Sequence, residues 1–381
     1  MAKILGYGLT RVERHYDKGV RELAAEATEK ALEHSGIENV DFIVVASSLS
    51  YLQEPQLDIA GYLASFLGLR GARSFAVEAG ESSGAAALQV AKSLIDSGHA
   101  STVLVVGIDK LTDYPSQETY RHLQLLYDTY SDAFYNIGHA GIAGILMRLY
   151  MKAYGVSREI LSYWPSMMHS HGSSNPYAML RFRVDPSKVH SSAPLAEPVT
   201  LMDAYPLGDG AAAIVMSSSE GPRAGDPAAE LVRIESSTGF PSPALSDDPL
   251  KIDSLAASMS RLGISPRDLG NVDVMEIHDS FTITGLLILE TLGLADRGKA
   301  PESVAEGRFT VGGDGPLVNP SGGLKSRGHP IGATDVYKAA EIVMQLDGSF
   351  PGVKAQDARL GLLVSVNGFG SSSYVGLFKS V

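Results

Sequence analysis

The stretch NPSGGLKSRGHPIGAT, residues 319–334, decides how this chain is read. Its glycines shape a turn that holds His329 between Gly328 and Pro330, ahead of a run of small residues with helical spacing. That run, PIGATDVYKAAEIVMQLDG (330–348), resembles SSGAAALQVAKSLIDSG (82–98). Two more pairs keep the same order. ALEHSGIENVDFIVVAS (31–47) is similar to SRLGISPRDLGNVDVMEIHD (260–279), and STVLVVG (101–107) is similar to ARLGLLVSVNG (358–368). Three ordered matches argue that an α/β unit has been duplicated.

Within each unit the pattern is that of buried parallel layers. Apolar runs at Lys3–Gly6, Phe42–Ala46, Ser74–Val77 and Thr102–Gly107 alternate with helical patterns at Val20–Ser35, Leu57–Leu67 and Gly84–Ser97. The segment 112–199 breaks this rhythm. It carries the single Trp164, most of the tyrosines, and His122, His139, His169, His171 and His190, and an insertion of that length is expected to be functional. LMDAYPLGDGAAAIVM (201–216) returns to a core strand, and 218–228 reads as a linker. The expected organisation is a first half over 1–217 containing the insertion, and a second half over 229–381.

Composition narrows the function. A net charge of −12 in 381 residues argues against non-specific nucleic-acid binding. No apolar run is long enough to span a bilayer, and the start reads as a strand followed by charges rather than as a signal peptide, so a cytoplasmic protein is expected. The chain has no cysteine, which removes disulfides, thiolate metal sites and thiol nucleophiles.

Four stretches combine reactive side chains with glycine-shaped backbone: AGESSG (79–84), EIHDSF (276–281), NPSGGLKSRGHPIGAT (319–334) and VSVNGFGSSS (364–373). The first places Glu81 on a turn at a helix N-terminus, where free backbone N–H groups favour an anion. If the halves pack about a pseudo-twofold axis, all four stretches converge on one pocket. His169 and His171 have metal-pair spacing but lack an evident third ligand, so no metal is expected. Asp109 and Asp113 read as ordinary loop acids, and Ser82 is expected to face the start of its helix.

Taken together, VEAGESSGAAAL, LMDAYPLGDGAAAIV, EIHDSFT, NPSGGLKSRGHPIGAT and VNGFG resemble the thiolase superfamily, most closely its archaeal and sterol-carrier-protein-like branch. The resemblance spans nearly the whole chain. It implies a five-layer αβαβα fold from two duplicated halves, with a loop insertion over the active site. It also implies work on acyl-CoA esters at the carbon–carbon bond next to the thioester, with coenzyme A as substrate or ligand and no permanently bound cofactor. A dimer or tetramer is implied, as is a possible small zinc-ribbon/OB-fold partner joining a hydroxymethylglutaryl-CoA synthase-type complex. By the same resemblance His329 and His278 hold the thioester oxygen and the enolate formed from it. The N–H groups of Gly368 or Gly370, with that of residue 81, form a second oxyanion site, while His169, Asn175, Pro176 and, more weakly, Ser321 lie near CoA.

The departure from the family is Glu81, which falls where thiolases carry the acyl-accepting cysteine; the second catalytic cysteine also has no counterpart. A carboxylate would give a mixed anhydride, a poor carrier for acyl exchange. Three readings remain open: Glu81 as general base in enolate formation or retro-aldol cleavage, a catalytically silent CoA-binding scaffold, or an acyl-CoA decarboxylase. The direction of the Glu81 pKa shift is open too, because a helix N-terminus lowers it and burial raises it.

Overall fold

A computed structural model describes residues 1–53, 56–218 and 228–381. Most of the expected linker, 219–227, lies outside the described residues.

The strands anticipated from apolar runs form with small extensions, as Ala2–Leu9, Phe42–Ala46, Arg73–Val77 and Thr102–Asp109. The helices form at Val20–Ser35, Ile59–Phe66 and Ser83–Asp96. They belong to one ten-stranded mixed sheet. From one edge its order is Arg73–Val77, Phe42–Ala46, Thr102–Asp109, Gly210–Ser218 and Ala2–Leu9. It continues through Ala229–Thr238, Ser372–Ser380, Leu360–Asn367, Val274–Glu276 and Leu317–Val318.

Read inward from either edge the pattern is the same. Two parallel pairings come first, with Phe42 opposite Val103 on one side and Gly361 opposite Val274 on the other. An antiparallel neighbour follows, with Thr102 opposite Ser217 and Leu360 opposite Lys379. The two sides meet where Ala2–Ile4 pairs antiparallel with Ala229–Leu231.

Alternation along the strands separates three apolar cores, as a two-residue period requires. Ile43, Val45, Leu104 and Val106 face outward against Leu23 and Ala27 of one helix and Leu63 of another. Their neighbours Val44, Val103 and Val105 face inward, against Leu88 and Ala91 of Ser83–Asp96 and Val336 and Val343 of Thr334–Leu346. On the far side Met275, Leu362 and Val364 pack outward against Leu255 and Leu286. Helix, one half of the sheet, paired central helices, the other half of the sheet and helix thus make five layers.

The central layer explains why Thr334–Leu346 is buried along its whole length, polar residues included. Asp335 accepts from Lys338 Nζ (3.0 Å) and Ser365 Oγ (2.6 Å), and Lys338 Nζ also reaches the Val364 carbonyl (3.1 Å). Charges this deep are tolerated because each finds a partner.

Much of the insertion expected as loop is helical. Ser116–Leu123, Gly138–Tyr154, Tyr163–Gly172 and Pro186–His190 are helices. Ile142, Leu146, Met147 and Tyr150 make an apolar stripe on the second of these, and the stripe joins the outer core of the second half. No helix among the described residues is long and apolar enough to cross a membrane.

Candidate active site

Glu81 is the middle residue of a single 3₁₀ turn, Gly80–Ser82, between the strand Arg73–Val77 and the central helix Ser83–Asp96. Gly80 has φ of +58°, and a Cβ there would lie 2.0 Å from Asn367 Oδ1, so only glycine lets the turn approach so closely. Asn367 Oδ1 accepts from the Glu81 N–H at 2.8 Å. His278 follows the short strand Val274–Glu276, and His329 sits between the helix Gly323–Arg327 and the turn Ile331–Ala333.

These elements bring three wholly buried side chains together. Glu81 Oε1 lies 3.2 Å from His329 Nε2 and 3.7 Å from His278 Nε2, and Glu81 Oε2 accepts from the Gly368 N–H at 2.6 Å. His329 Nδ1 contacts Thr334 Oγ1 at 2.7 Å. The two imidazoles stand edge to face, 5.3 Å apart. Neither nitrogen of His278 has a hydrogen-bond partner.

Burial raises the Glu81 carboxyl, but His139, His329 and the Gly368 N–H outweigh it, so Glu81 sits below the usual carboxylate range. Burial lowers His329 to about 3 and His139 to about 4 against the opposing pull of Glu81. Burial and then Lys338 take His278 well below its ordinary value. The result is one carboxylate facing neutral imidazoles, an arrangement fit to take a proton and to steady developing negative charge.

The walls are aromatic. Tyr205 stands edge-on to His329 at 4.8 Å, and His139 packs against Phe281 (4.6 Å), Tyr127 (4.7 Å) and Phe369 (5.2 Å). His139 Nδ1 lies 3.2 Å from the Tyr205 hydroxyl, whereas His139 Nε2 and the Tyr127 hydroxyl are buried without a partner. Burial and then the charge of Glu81 hold both tyrosines well above their usual pKa. His139 and Tyr205 are residues that motif reading passed over. A cavity of about 300 Å³, lined in part by Leu49, Gly80, Leu126 and Asn367, adjoins the Glu81 turn.

Other expected residues lie elsewhere or are already engaged. Gly370 N–H donates to the Asn367 carbonyl (3.0 Å), so it is not a free oxyanion donor; Gly368 and residue 81 likewise have acceptors. Ser321 Oγ donates to Glu276 Oε2 (2.7 Å) and its carbonyl accepts from Asn175 Nδ2 (2.9 Å), a buried clasp with no contact to Glu81. Pro176 is exposed. His169 and His171 turn to different carbonyls, Phe182 and Asn319, each at 3.1 Å. Among the described residues, the side chains whose ligand atoms converge within 4.8 Å are Glu81, His278 and His329.

Within the insertion, Trp164 is core, donating to Asp279 Oδ2 at 3.1 Å, while Tyr120, Tyr130 and Tyr135 are exposed. Ser82 meets Ser365 at 2.9 Å, behind the turn. Asp109, expected as a loop acid, is wholly buried. It accepts from Ser47 Oγ (2.9 Å), Ser48 N (3.2 Å) and Gly332 N (2.6 Å), tying the first half to the His329 turn. Asp113 pairs with Lys110.

Residues 7–193 match the thiolase N-terminal domain and residues 253–380 the thiolase C-terminal domain-like family. The acetyl-CoA acetyltransferase of Methanocaldococcus jannaschii is 33% identical over 353 residues, covering 90% of this chain and 89% of that protein. Sterol carrier protein 2 of Oryctolagus cuniculus is 29% identical over 99% of this chain and 71% of its own length. A structure described as the Ltp2-ChsH2(DUF35) aldolase shares the fold, with TM-score 0.82 and 20% identity over 100% of this chain and 97% of that one. The five layers, the converging turns and these matches over both halves make the chain a member of the thiolase superfamily.

Proposed function

We propose that this protein cleaves or forms the carbon–carbon bond next to an acyl-CoA thioester through an enolate, with Glu81 as general base and no acyl-enzyme. The observation that carries the reading is the wholly buried Glu81 carboxylate, 3.2 and 3.7 Å from two imidazoles, in a chain without cysteine. In the cleavage direction Glu81 takes the proton of a β-hydroxyl. The Cα–Cβ pair moves toward the thioester carbonyl, a carbonyl product leaves, and the enolate oxygen is held by the Nε2–H of His278, with His329 beside it. Protonated Glu81 then returns its proton to Cα, and no co-reactant is needed. The aldolase description of a protein sharing the fold agrees with this chemistry.

Coenzyme A esters are the substrate class that family membership supports; of the four residues proposed to lie near CoA, Pro176 is exposed and His169, Asn175 and Ser321 are buried. The halves 1–217 and 229–381 are proposed as the structural units. A homodimer or tetramer in the cytoplasm is proposed, together with a small zinc-ribbon/OB-fold partner of the DUF35 kind named in that aldolase and a hydroxymethylglutaryl-CoA synthase-type complex. Decarboxylation is disfavoured, because an ionised Glu81 repels a malonyl carboxylate.

One observation favours a second reading. Glu81 itself occupies the Gly368 N–H, the donor a thioester oxygen would use, as a silent CoA-binding subunit could afford. The test is exchange of acyl-CoA α-protons into deuterated water and cleavage of β-hydroxyacyl-CoA by wild type and Glu81→Gln. The base reading requires both activities in wild type and their loss in the variant, with CoA still bound. CoA binding without either activity in wild type, with its native partner present, would establish the scaffold.

A further inference from the structure

We infer that Glu81 Oε1, His278 Nε2 and His329 Nε2 form a binding site for one divalent transition-metal ion of the zinc class, and that its occupancy switches off the base proposed above. Two imidazoles and one carboxylate are a donor set that suits Zn²⁺, with a further position left open. The spacing fits. Ligand atoms about 2.0–2.2 Å from one ion lie roughly 3–3.5 Å apart, and here Oε1 is 3.2 Å from one nitrogen and 3.7 Å from the other. All three donor atoms already lie within 4.8 Å of one another, so small side-chain adjustments close the site.

The surroundings hold two of the three donors, His329 and Glu81, as ligands are held. Thr334 Oγ1 donates to the Pro330 carbonyl at 3.3 Å and can accept from His329 Nδ1–H at 2.7 Å. That leaves the His329 Nε2 lone pair pointing at Glu81, and the hydrogen bond on the far ring nitrogen sets which nitrogen takes metal. Glu81 Oε2 is fixed by the Gly368 N–H, leaving Oε1 to bind. His278 is wholly buried with no hydrogen bond at either nitrogen, and coordination at Nε2 would satisfy one of the two. Without a cation or a proton between them, the carboxylate oxygen and the His329 lone pair face each other at 3.2 Å, out of water.

The consequence rests on the enolate reading. A metal on Oε1 takes the electron pair that would accept the substrate proton, and it takes His278 Nε2, the nitrogen that would donate to the enolate oxygen. The loaded protein is therefore the resting form.

The test uses the full chain, stripped with chelator, incubated with Zn²⁺ or Co²⁺ and dialysed against metal-free buffer. Wild type and an exposed-site control, His190→Ala, are expected to retain about one ion per chain, with visible Co²⁺ bands of low-coordinate type. Glu81→Gln and His278→Ala are expected to retain less than about a tenth of that, and the zinc-dependent rise in thermal midpoint seen in wild type should vanish in both. Wild type that holds no metal, or triad variants that hold as much as wild type, overturns the site. α-Proton exchange should fall at least about tenfold on loading and return on chelation; equal exchange by both forms overturns the switch. Metal-free protein with no exchange at all would instead defeat the base reading and its switch, while ion retention still decides the site.

Discussion

The two central helices begin in the same way, yet only one beginning carries chemistry. Gly80–Ser82 precedes Ser83–Asp96, and Ile331–Ala333 precedes Thr334–Leu346. In each turn the middle N–H is captured by the last residue of a strand in the opposite half. Asn367, closing Leu360–Asn367, takes the Glu81 N–H at 2.8 Å. Asp109, closing Thr102–Asp109, takes the Gly332 N–H at 2.6 Å. The middle residue is a carboxylate in the first turn and a glycine in the second. A Cβ at Gly332 would meet Ser48 N at 2.7 Å and Asp109 Oδ2 at 2.9 Å, so that turn has no room for a side chain. The equivalent turns thus divide the work: one presents Glu81, and the other is packed tight to place His329 opposite it.

The two turns differ most at the reactive residue. Glu81→Gln keeps the size of the side chain and removes the base, so α-proton exchange should fall about 10²- to 10⁴-fold with folding intact. Exchange that persists in this variant would make the two turns equal structural devices. Next in size is Asp109→Ala, which strips acceptors from buried Ser48 and Gly332 N–H groups at once. A loss of about 3 kcal/mol or more is expected in denaturant unfolding, from orphaned donors that a charged acceptor had satisfied. Gly332→Ala should follow at about 1–3 kcal/mol, since the methyl group must push backbone rather than a mobile side-chain tip. A neutral Gly332→Ala would mean that the second turn is looser than the first.

The sequence carried the duplicated fold because its signals are local and repeated: apolar strand runs, then a glycine turn, then a small-residue helix. Glu81, His278 and His329 were legible for the same reason, each standing on or beside such a turn. Asp109 was not, because its partners Ser48 and Gly332 lie 61 and 223 residues away in the chain. His139 and Tyr205 escaped because aromatic packing around a site has no fixed spacing. Asp335, Lys338 and Glu341 have the spacing of a solvated helix face, and only the two enclosing halves of the sheet bury them. What the chain leaves unwritten locally is which polar residues the layering traps.

The smallest effect is expected at Asn367. Asn367 resembles Asp109 in position but not in charge, and it holds a single turn N–H where Asp109 also collects Ser47 and Ser48. Its amide is fixed from the other side, with Nδ2 donating to Ser371 Oγ at 2.8 Å. Asn367→Ala should therefore cost about 1–2 kcal/mol, less than Asp109→Ala, because one neutral acceptor is lost and the adjoining cavity can admit water to the freed N–H. Its effect on exchange should exceed its effect on stability, since the Glu81 N–H anchor sets where the carboxylate points, and a misplacement of a fraction of an ångström weakens proton transfer. Exchange measured beside denaturant unfolding separates the two: loss of both in proportion would make Asn367 a packing residue, whereas exchange falling about tenfold in a folded protein would make it the positioning residue of the first turn.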